Sequence, residues 1–88
     1  MKIKQIGSNQ TQVHTTSKEY GDITILYSYT TPVAVQVIST REVYRTTAWF
    51  SKTTTRHINK WLGMMEENCP KHKINEMSQP NIEAIIQS

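Results

Sequence analysis

The chain has 88 residues, of which 36% are hydrophobic and 19% are charged, and its formal net charge is +3. This length corresponds to one small domain with a modest core, which excludes large cofactor-binding folds and a second lobe that would close over a substrate. The sequence has no long apolar run, which excludes a transmembrane helix, and its first residues lack the apolar region of a signal peptide. A single cysteine, Cys69, fits a reducing cytoplasm. We therefore expect a soluble cytoplasmic protein that does not bind membranes.

The positive charge is concentrated in one stretch of the chain. Residues 41–60 contain five basic residues and one glutamate, a net charge of +4, whereas residues 1–40 carry +1 and residues 61–88 carry −2. The basic character of the chain therefore lies in residues 41–60, between a nearly neutral half and an acidic tail.

Residues 1–50 are rich in threonine and β-branched aliphatic residues that alternate with a period of two, which predicts β-strands. Turns are predicted at residues 19–22, where Gly21 permits a positive φ, and at residues 39–41. The pattern predicts four to five antiparallel strands joined as a meander. The predicted strands cover residues 2–6, 11–17, 22–30, 33–37 and 42–49.

The alternation also assigns side chains to the two faces of the sheet. Leu26 and Ile38 are expected on a face that stays exposed. The strand at residues 11–17 is expected to offer a free edge to a partner. Residues expected to share a face are Ile23, Ile25, Tyr27 and Tyr29 in the third strand and Val33, Val35 and Val37 in the fourth.

The periodicity changes after residue 50. A hydroxyl-rich segment at residues 51–54 can cap a helix, and Gly63 either ends that helix or is carried inside it at a cost of about 1 kcal/mol. The opposite side of this helix, with Arg56 and Lys60, is expected to face water. The apolar stripe that predicts the helix recurs every three or four residues and consists of Thr54, Ile58, Trp61, Leu62 and Met65.

A short second helix is predicted after Ser78, with Ile82, Ile85 and Ile86 as its apolar stripe, and it either docks on the core or frays. We therefore expect an α+β fold, in which a four- to five-stranded antiparallel meander is packed by one main helix. Residues 1–68 are expected to form this domain, and residues 69–88 a C-terminal appendage.

Two stretches of the chain resemble a known family. The segment SYTTPVA at residues 28–34 and the segment TTAWFSKTTTRHINKWL at residues 46–62 resemble small uncharacterised proteins encoded by tailed bacteriophages. The resemblance covers residues 2–62, and its spacing is specific. It implies a phage origin and expression in the cytoplasm of an infected bacterium, and it implies no reaction.

The strongest candidate site is the start of the predicted helix, where hydroxyls, backbone N–H groups and cations favour an anion such as phosphate. The simpler interpretation is that Ser51 or Thr54 caps the helix and that the charged residues are solvated. If Arg45 shares an exposed face with Trp49, a nucleic-acid backbone can follow the cations while bases stack on the indole. The residues predicted to bind nucleic acid or an anion are Arg41, Arg45, Trp49, Lys52, Thr53, Thr55, Arg56, His57 and Lys60.

Both tryptophans also have a structural interpretation, because large aromatic side chains dominate small cores. Trp61 lies on the helical stripe, and we expect it to be buried. For Trp49 the two interpretations are equally supported.

Other chemistry has little support. Cys69 and His72 form a Cys-x-x-His pair that supplies only two of the four ligands of a structural zinc site. The sequence contains no glycine-rich phosphate loop and no nucleophile elbow. We expect no catalytic site, no metal and no cofactor.

These observations favour a small non-enzymatic accessory protein of phage type that acts by binding, with nucleic acid as its partner. The alternative is an inhibitor or adaptor of a host protein, such as a defence or transcription component, because tyrosine is enriched at protein interfaces. A self-assembling protein, for example a homodimer, is the third hypothesis. The tyrosines considered for a protein interface are Tyr20, Tyr27, Tyr29 and Tyr44.

Overall fold

The structure is a computed structural model that describes residues 2–7, 9–68 and 73–87. Six strands and two helices make up this described part of the protein. The strands form one sheet in the order β1-β2-β3-β4-β5-β6, and all neighbours are antiparallel except β5 and β6, which are parallel. In chain order the elements are β1 (Lys2–Gly7), β2 (Gln10–Ser17), β3 (Gly21–Ser28), β4 (Thr31–Val37), β5 (Glu42–Thr46), α1 (Lys52–Asn68), β6 (Lys73–Met77) and α2 (Gln79–Gln87).

The α+β class and the meander of β1 to β5 agree with the sequence analysis, but the strand count does not, because β6 is a sixth strand. It pairs with β5 in register from Glu42 opposite Lys73 to Thr46 opposite Met77. A parallel neighbour requires a crossover connection, and α1 supplies it by carrying the chain back to the start of β5. The sheet is therefore mixed rather than wholly antiparallel.

One helix packs on each face of the sheet, and the core is accordingly divided in two. On the face covered by α1, a buried cluster joins the sheet to Ile58 and Trp61. On the face covered by α2, a second cluster joins the sheet to Ile82 and Ile85. The strand residues of the α1 cluster are Leu26, Val33, Ala34 and Val43, and those of the α2 cluster are Val13, Ile23, Ile25, Val35 and Val37.

The second helix corrects two expectations about exposure. Leu26 is fully buried rather than exposed, because α1 covers its face while α2 covers the face of Ile23 and Ile25. The strand β2 is an interior strand paired with both β1 and β3, so the expected free edge at residues 11–17 does not exist. The edges of the sheet are β1 and β6.

A bulge in β4 changes the face of Val33. Leu26 pairs with Ala34 and the next residue, Tyr27, pairs with Pro32, so that Val33 is the extra residue on its strand. Two successive residues, Val33 and Ala34, therefore reach the α1 cluster. The predicted common face of Val33, Val35 and Val37 is wrong at Val33 for this reason.

The start of α1 confirms the predicted cap. The backbone N–H of Thr54 donates to Ser51 Oγ at 3.1 Å, and that of Thr55 donates to the Ser51 carbonyl at 3.1 Å. Thr54, Ile58 and Trp61 are buried as predicted, whereas the Met65 side chain lies outside the described residues. Gly63 is carried inside α1 rather than ending it.

The segment after residue 68 contributes to both the sheet and the core. The strand β6 belongs to the sheet, and α2 docks through Ile82 and Ile85 instead of fraying. Gln79, at the start of α2, donates from Nε2 to the Pro32 carbonyl at 2.7 Å. Among the described residues, no helix is long and apolar enough to cross a bilayer.

Candidate nucleic-acid interface

The first turns of α1 are fixed to β3 by a chain of polar side chains. Ser28 Oγ lies 2.8 Å from His57 Nδ1 and 3.1 Å from Thr54 Oγ1, and Ser51 Oγ donates to Thr54 Oγ1 at 3.2 Å. Ser28, Thr54 and His57 are all buried. Buried polar groups require such partners, and this network therefore sets the position of the helix on the sheet.

His57 lies beneath the surface of the predicted site. Its side chain is buried, and its ring centroid lies 6.0 Å from that of Tyr29 at an interplanar angle of 44°. Burial lowers the pKa of His57 because the charged imidazolium loses water, and the positive charge of Lys60 lowers it further. His57 thus acts as a neutral structural residue near neutral pH and does not supply a cation to a ligand.

We expect His57 to make the protein less stable in mild acid. With a folded pKa below the unfolded value of about 6.5, its contribution is present above that value and is lost as the pH falls through the folded pKa. A single such group gives a slope of at most about 1.4 kcal/mol per pH unit. When urea unfolding is measured at neutral pH and in mild acid, the free energy of unfolding of His57→Gln should depend less on pH than that of the wild type.

The matched variant Lys60→Gln should keep most of that dependence, since burial is the larger cause of the shift. A pH dependence in His57→Gln that equals that of the wild type would contradict the assignment.

Ser28 and His57 have the spacing of a nucleophile and its base, but their surroundings indicate a structural pair. Ser28 is 2% exposed and its hydroxyl also contacts Thr54. A substrate cannot reach a hydroxyl that is enclosed by β3 and α1. Among the described residues, no group of three or more His, Cys, Asp or Glu side chains could hold a metal ion, and Cys69 and His72 lie outside those residues.

Three cations line one exposed stripe of α1. Lys52, Arg56 and Lys60 are spaced by four residues and are all exposed, so that they follow one another along the helix at steps of about 6 Å. Each like-charge pair at this spacing costs about 0.2–0.5 kcal/mol. No acidic residue lies in the first turn of α1, where the helix dipole favours anions over cations. The stripe is therefore electrostatically unfavourable unless an anion joins it.

Exposed aromatic side chains lie at the same end of the sheet as the start of the stripe. Trp49 is 73% exposed and Phe50 is 42% exposed in the loop between β5 and α1, and Tyr29 is 52% exposed in the turn between β3 and β4. The antiparallel order puts the ends of β3 and β5 at one end of the sheet, where α1 begins. We name this set the aromatic–basic corner: Tyr29, Trp49, Phe50, Lys52, Thr53, Arg56 and Lys60.

The remaining predicted site residues are not part of this corner. Arg41 lies in the turn before β5, about 13 Å along the strand from Arg45, and so at the far end of the sheet. Arg45 donates from Nη1 to Asn59 Oδ1 at 3.4 Å and is opposite Glu76 in the β5–β6 ladder. Thr55 is half-buried, and its hydroxyl donates to the Ser51 carbonyl at 3.1 Å.

Phe50 was not among the predicted site residues. Its position next to Trp49 could have indicated its exposure. Successive side chains of an extended segment point to opposite sides, so two adjacent aromatic residues after a strand cannot both point into the same side of the core. Tyr29 was considered only for a protein interface. Its φ of 58° places it in the turn rather than in β3, and this turn brings it to His57.

A protein-family model matches most of the chain. The model of the family described as "Family of unknown function (DUF8033)" matches residues 1–78, and the chain belongs to this family. The match extends past Leu62, where the resemblance seen in the sequence ends, and includes β6. No curated protein and no solved structure matches the chain significantly.

Proposed function

We propose that this member of the DUF8033 family binds single-stranded nucleic acid at the aromatic–basic corner. The observation that carries the proposal is the 73% exposure of Trp49 directly before a helix that presents Lys52, Arg56 and Lys60 in one stripe. Proteins that bind single strands combine aromatic platforms for the bases with cations that follow the backbone. The corner contains both parts next to each other.

The exposure of the aromatic side chains is costly without a ligand. Burying a large apolar side chain is worth about 1.5–3 kcal/mol; Trp49 gains little of it, and Phe50 leaves 42% of its surface exposed. A base that stacks on an indole ring recovers part of that free energy, at about 1–3 kcal/mol per base. The base must be unstacked to reach the ring, and this requirement favours a single strand over a duplex.

The cationic stripe suits the backbone of the same strand. Lys52, Arg56 and Lys60 lie beside each other on the solvent side of α1, and binding of phosphates would remove their mutual repulsion. Three phosphate contacts give a modest, salt-dependent affinity rather than a tight one. Arg41 takes no part in this proposal because it lies at the far end of the sheet, and Arg45 takes none because its guanidinium donates to Asn59 and lies opposite Glu76.

A host protein is the second candidate partner, and the pair Trp49 and Phe50 favours it. Adjacent exposed aromatic residues resemble the anchors that fill pockets at protein interfaces. Such an interface would depend little on salt, whereas phosphate binding depends on it strongly.

A phage origin and an action in the cytoplasm of the infected bacterium are part of the same proposal. The support for both is the resemblance of the two segments at residues 28–34 and 46–62 to phage proteins.

We expect Trp49→Ala to weaken binding of oligothymidylate by about 5- to 150-fold, the equivalent of one lost stacking contact. Trp49→Phe should retain part of the affinity because it keeps an aromatic face. Fluorescence polarisation of a labelled oligonucleotide at low salt measures both. Since Trp49 is 73% exposed, the variant should unfold within about 0.5 kcal/mol of the wild type.

Ile38→Ala serves as the matched control. Ile38 is an exposed apolar residue at the opposite end of the sheet from the corner. This variant should bind as the wild type does. Equal affinity of Trp49→Ala and wild type would remove the corner as the binding site.

A further inference from the structure

A second basic surface lies on the α1 face of the sheet, at the edge that α1 does not cover. It is an open groove of about 340 Å³ lined by Lys2, Lys4, Gln12 and His14. Lys2 is directly opposite His14, and Lys4 directly opposite Gln12, in the β1–β2 ladder. The groove therefore has two exposed ammonium groups and two further polar side chains on its floor.

The helix α1 contacts one of the residues that line this groove. Trp61 Nε1 donates to Gln12 Oε1 at 2.9 Å, so that α1 meets the sheet at β2, while Lys2 and Lys4 of β1 stay exposed. His14 Nδ1 lies 3.3 Å from Thr24 Oγ1, which holds the imidazole on the same face. The floor is thus held in place by neighbouring strands and by α1.

Helix geometry relates the cationic stripe to the groove. Successive residues of α1 are about 100° apart around the axis, since a turn contains about 3.6 residues. Asn59 accepts a hydrogen bond from Arg45 on β5, which identifies the flank of α1 that faces β5. Arg56 lies about 60° and Lys60 about 100° round from Asn59, in the direction of His57, whose ring contacts Tyr29. The stripe therefore crosses the solvent side of α1 at Arg56 and turns at Lys60 toward the flank that faces β1.

The charges around the groove have one sign. Lys2 and Lys4 line the groove, and Lys60 lies on the flank of α1 nearest to it. The nearest carboxylate on this face of β2 and β3 is Asp22, which accepts a hydrogen bond from Thr16 at 3.1 Å, at the far end of β2 from the aromatic–basic corner. Among the described side chains, a polyanion that leaves the corner along α1 meets Arg56 and Lys60 and then Lys4 and Lys2.

We propose that this groove holds the phosphodiester backbone of the same nucleic-acid strand whose bases stack at the aromatic–basic corner. The inference rests on the proposed function and adds a path to it: the strand passes from Trp49 along Arg56 and Lys60 and then over Lys2 and Lys4. A short oligonucleotide occupies the corner alone, and a longer one also occupies the groove.

The test compares oligothymidylates of about five and about fifteen nucleotides, lengths within the range of known single-strand sites. The double variant Lys2→Gln/Lys4→Gln removes both ammonium groups from the floor. For the longer oligonucleotide, its plot of log affinity against log salt concentration should be less steep by about 1.4, since each lost phosphate contact removes about 0.7. Binding of the shorter oligonucleotide should not change.

Lys18→Gln is the matched control, because Lys18 is an exposed lysine in the turn between β2 and β3 and does not line the groove. An unchanged salt dependence of the double variant with the longer oligonucleotide would overturn the groove and leave the corner in place. Absence of binding by either oligonucleotide would overturn the proposed function and the groove with it. Equal competition by polyglutamate would show that the groove recognises negative charge alone and would overturn the assignment to nucleic acid.

Discussion

Replacing Trp61 by alanine is expected to lower the free energy of unfolding by about 3–5 kcal/mol. Trp61 is fully buried and is the largest side chain of the cluster that joins α1 to the sheet. Its truncation leaves a cavity beside Leu26 and Val43, and Gln12 Oε1 loses its donor. A domain of 88 residues has a total stability of about 4–13 kcal/mol, so this change consumes much of it.

Urea unfolding of Trp61→Ala, with Trp49→Ala as the control, measures this effect. The two substitutions delete the same side chain, once from the core and once from the surface, and the control should change stability by no more than about 0.5 kcal/mol. The free energy of unfolding of Trp61→Phe should lie between those of the wild type and Trp61→Ala, because phenylalanine keeps apolar volume but lacks the N–H group. A loss below about 1 kcal/mol for Trp61→Ala would show that α1 does not pack through this residue.

The second large effect is expected at Ile82 of α2. Ile82→Ala should lower the free energy of unfolding by about 2–5 kcal/mol, because the side chain is fully buried against Ile25 and Val35 of the sheet. The neighbouring substitution Glu83→Ala, on the exposed side of the same helix, should change it by no more than about 0.5 kcal/mol.

The unfolding curve of Ile82→Ala also tests how α2 relates to the rest of the chain. If α2 belongs to the same cooperative unit as the sheet, one transition moves to lower denaturant concentration as a whole. If the unfolding midpoint of Ile82→Ala equals that of the wild type, α2 unfolds separately and contributes nothing to the core.

The local patterns of the fold could be predicted from the sequence. The turn at Gly21 depends on a positive φ that glycine adopts easily, and the start of α1 depends on the Ser51 cap and the spacing of Ile58 and Trp61. Both are decided by residues close to one another in the chain.

Features that depend on distant contacts could not be predicted. The strand β6 has only five residues, and its place in the sheet depends on pairing with β5 across the whole of α1. The bulge at Val33 depends on how β3 and β4 leave their turn, where Tyr29 has a φ of 58°. The burial of Leu26 required a second helix to occupy the opposite face, and the alternation of β3 is compatible with one helix or two.

In the candidate site, too, features decided by nearby residues could be predicted, whereas features decided by the ends of strands could not. The spacing of Lys52, Arg56 and Lys60 by four residues predicts a common stripe, and α1 presents it. His57 could have been separated from that stripe, because it lies three residues after Thr54 and four before Trp61, which are both buried. The position of Arg41 at the far end of the sheet follows from the predicted turn at residues 39–41, whereas the end of β5 at Thr46 rather than at residue 49 was not evident from the alternation.

The central claim is that the aromatic–basic corner binds a single strand of nucleic acid through stacking and three cations. The most direct measurement is a titration of the wild-type protein with a labelled oligothymidylate of about five nucleotides at several salt concentrations. We expect saturable binding at low salt and a slope of about −2 in log affinity against log salt concentration, the value for three phosphate contacts by Lys52, Arg56 and Lys60. Absence of binding at low salt, or an affinity that does not change with salt, would contradict the claim.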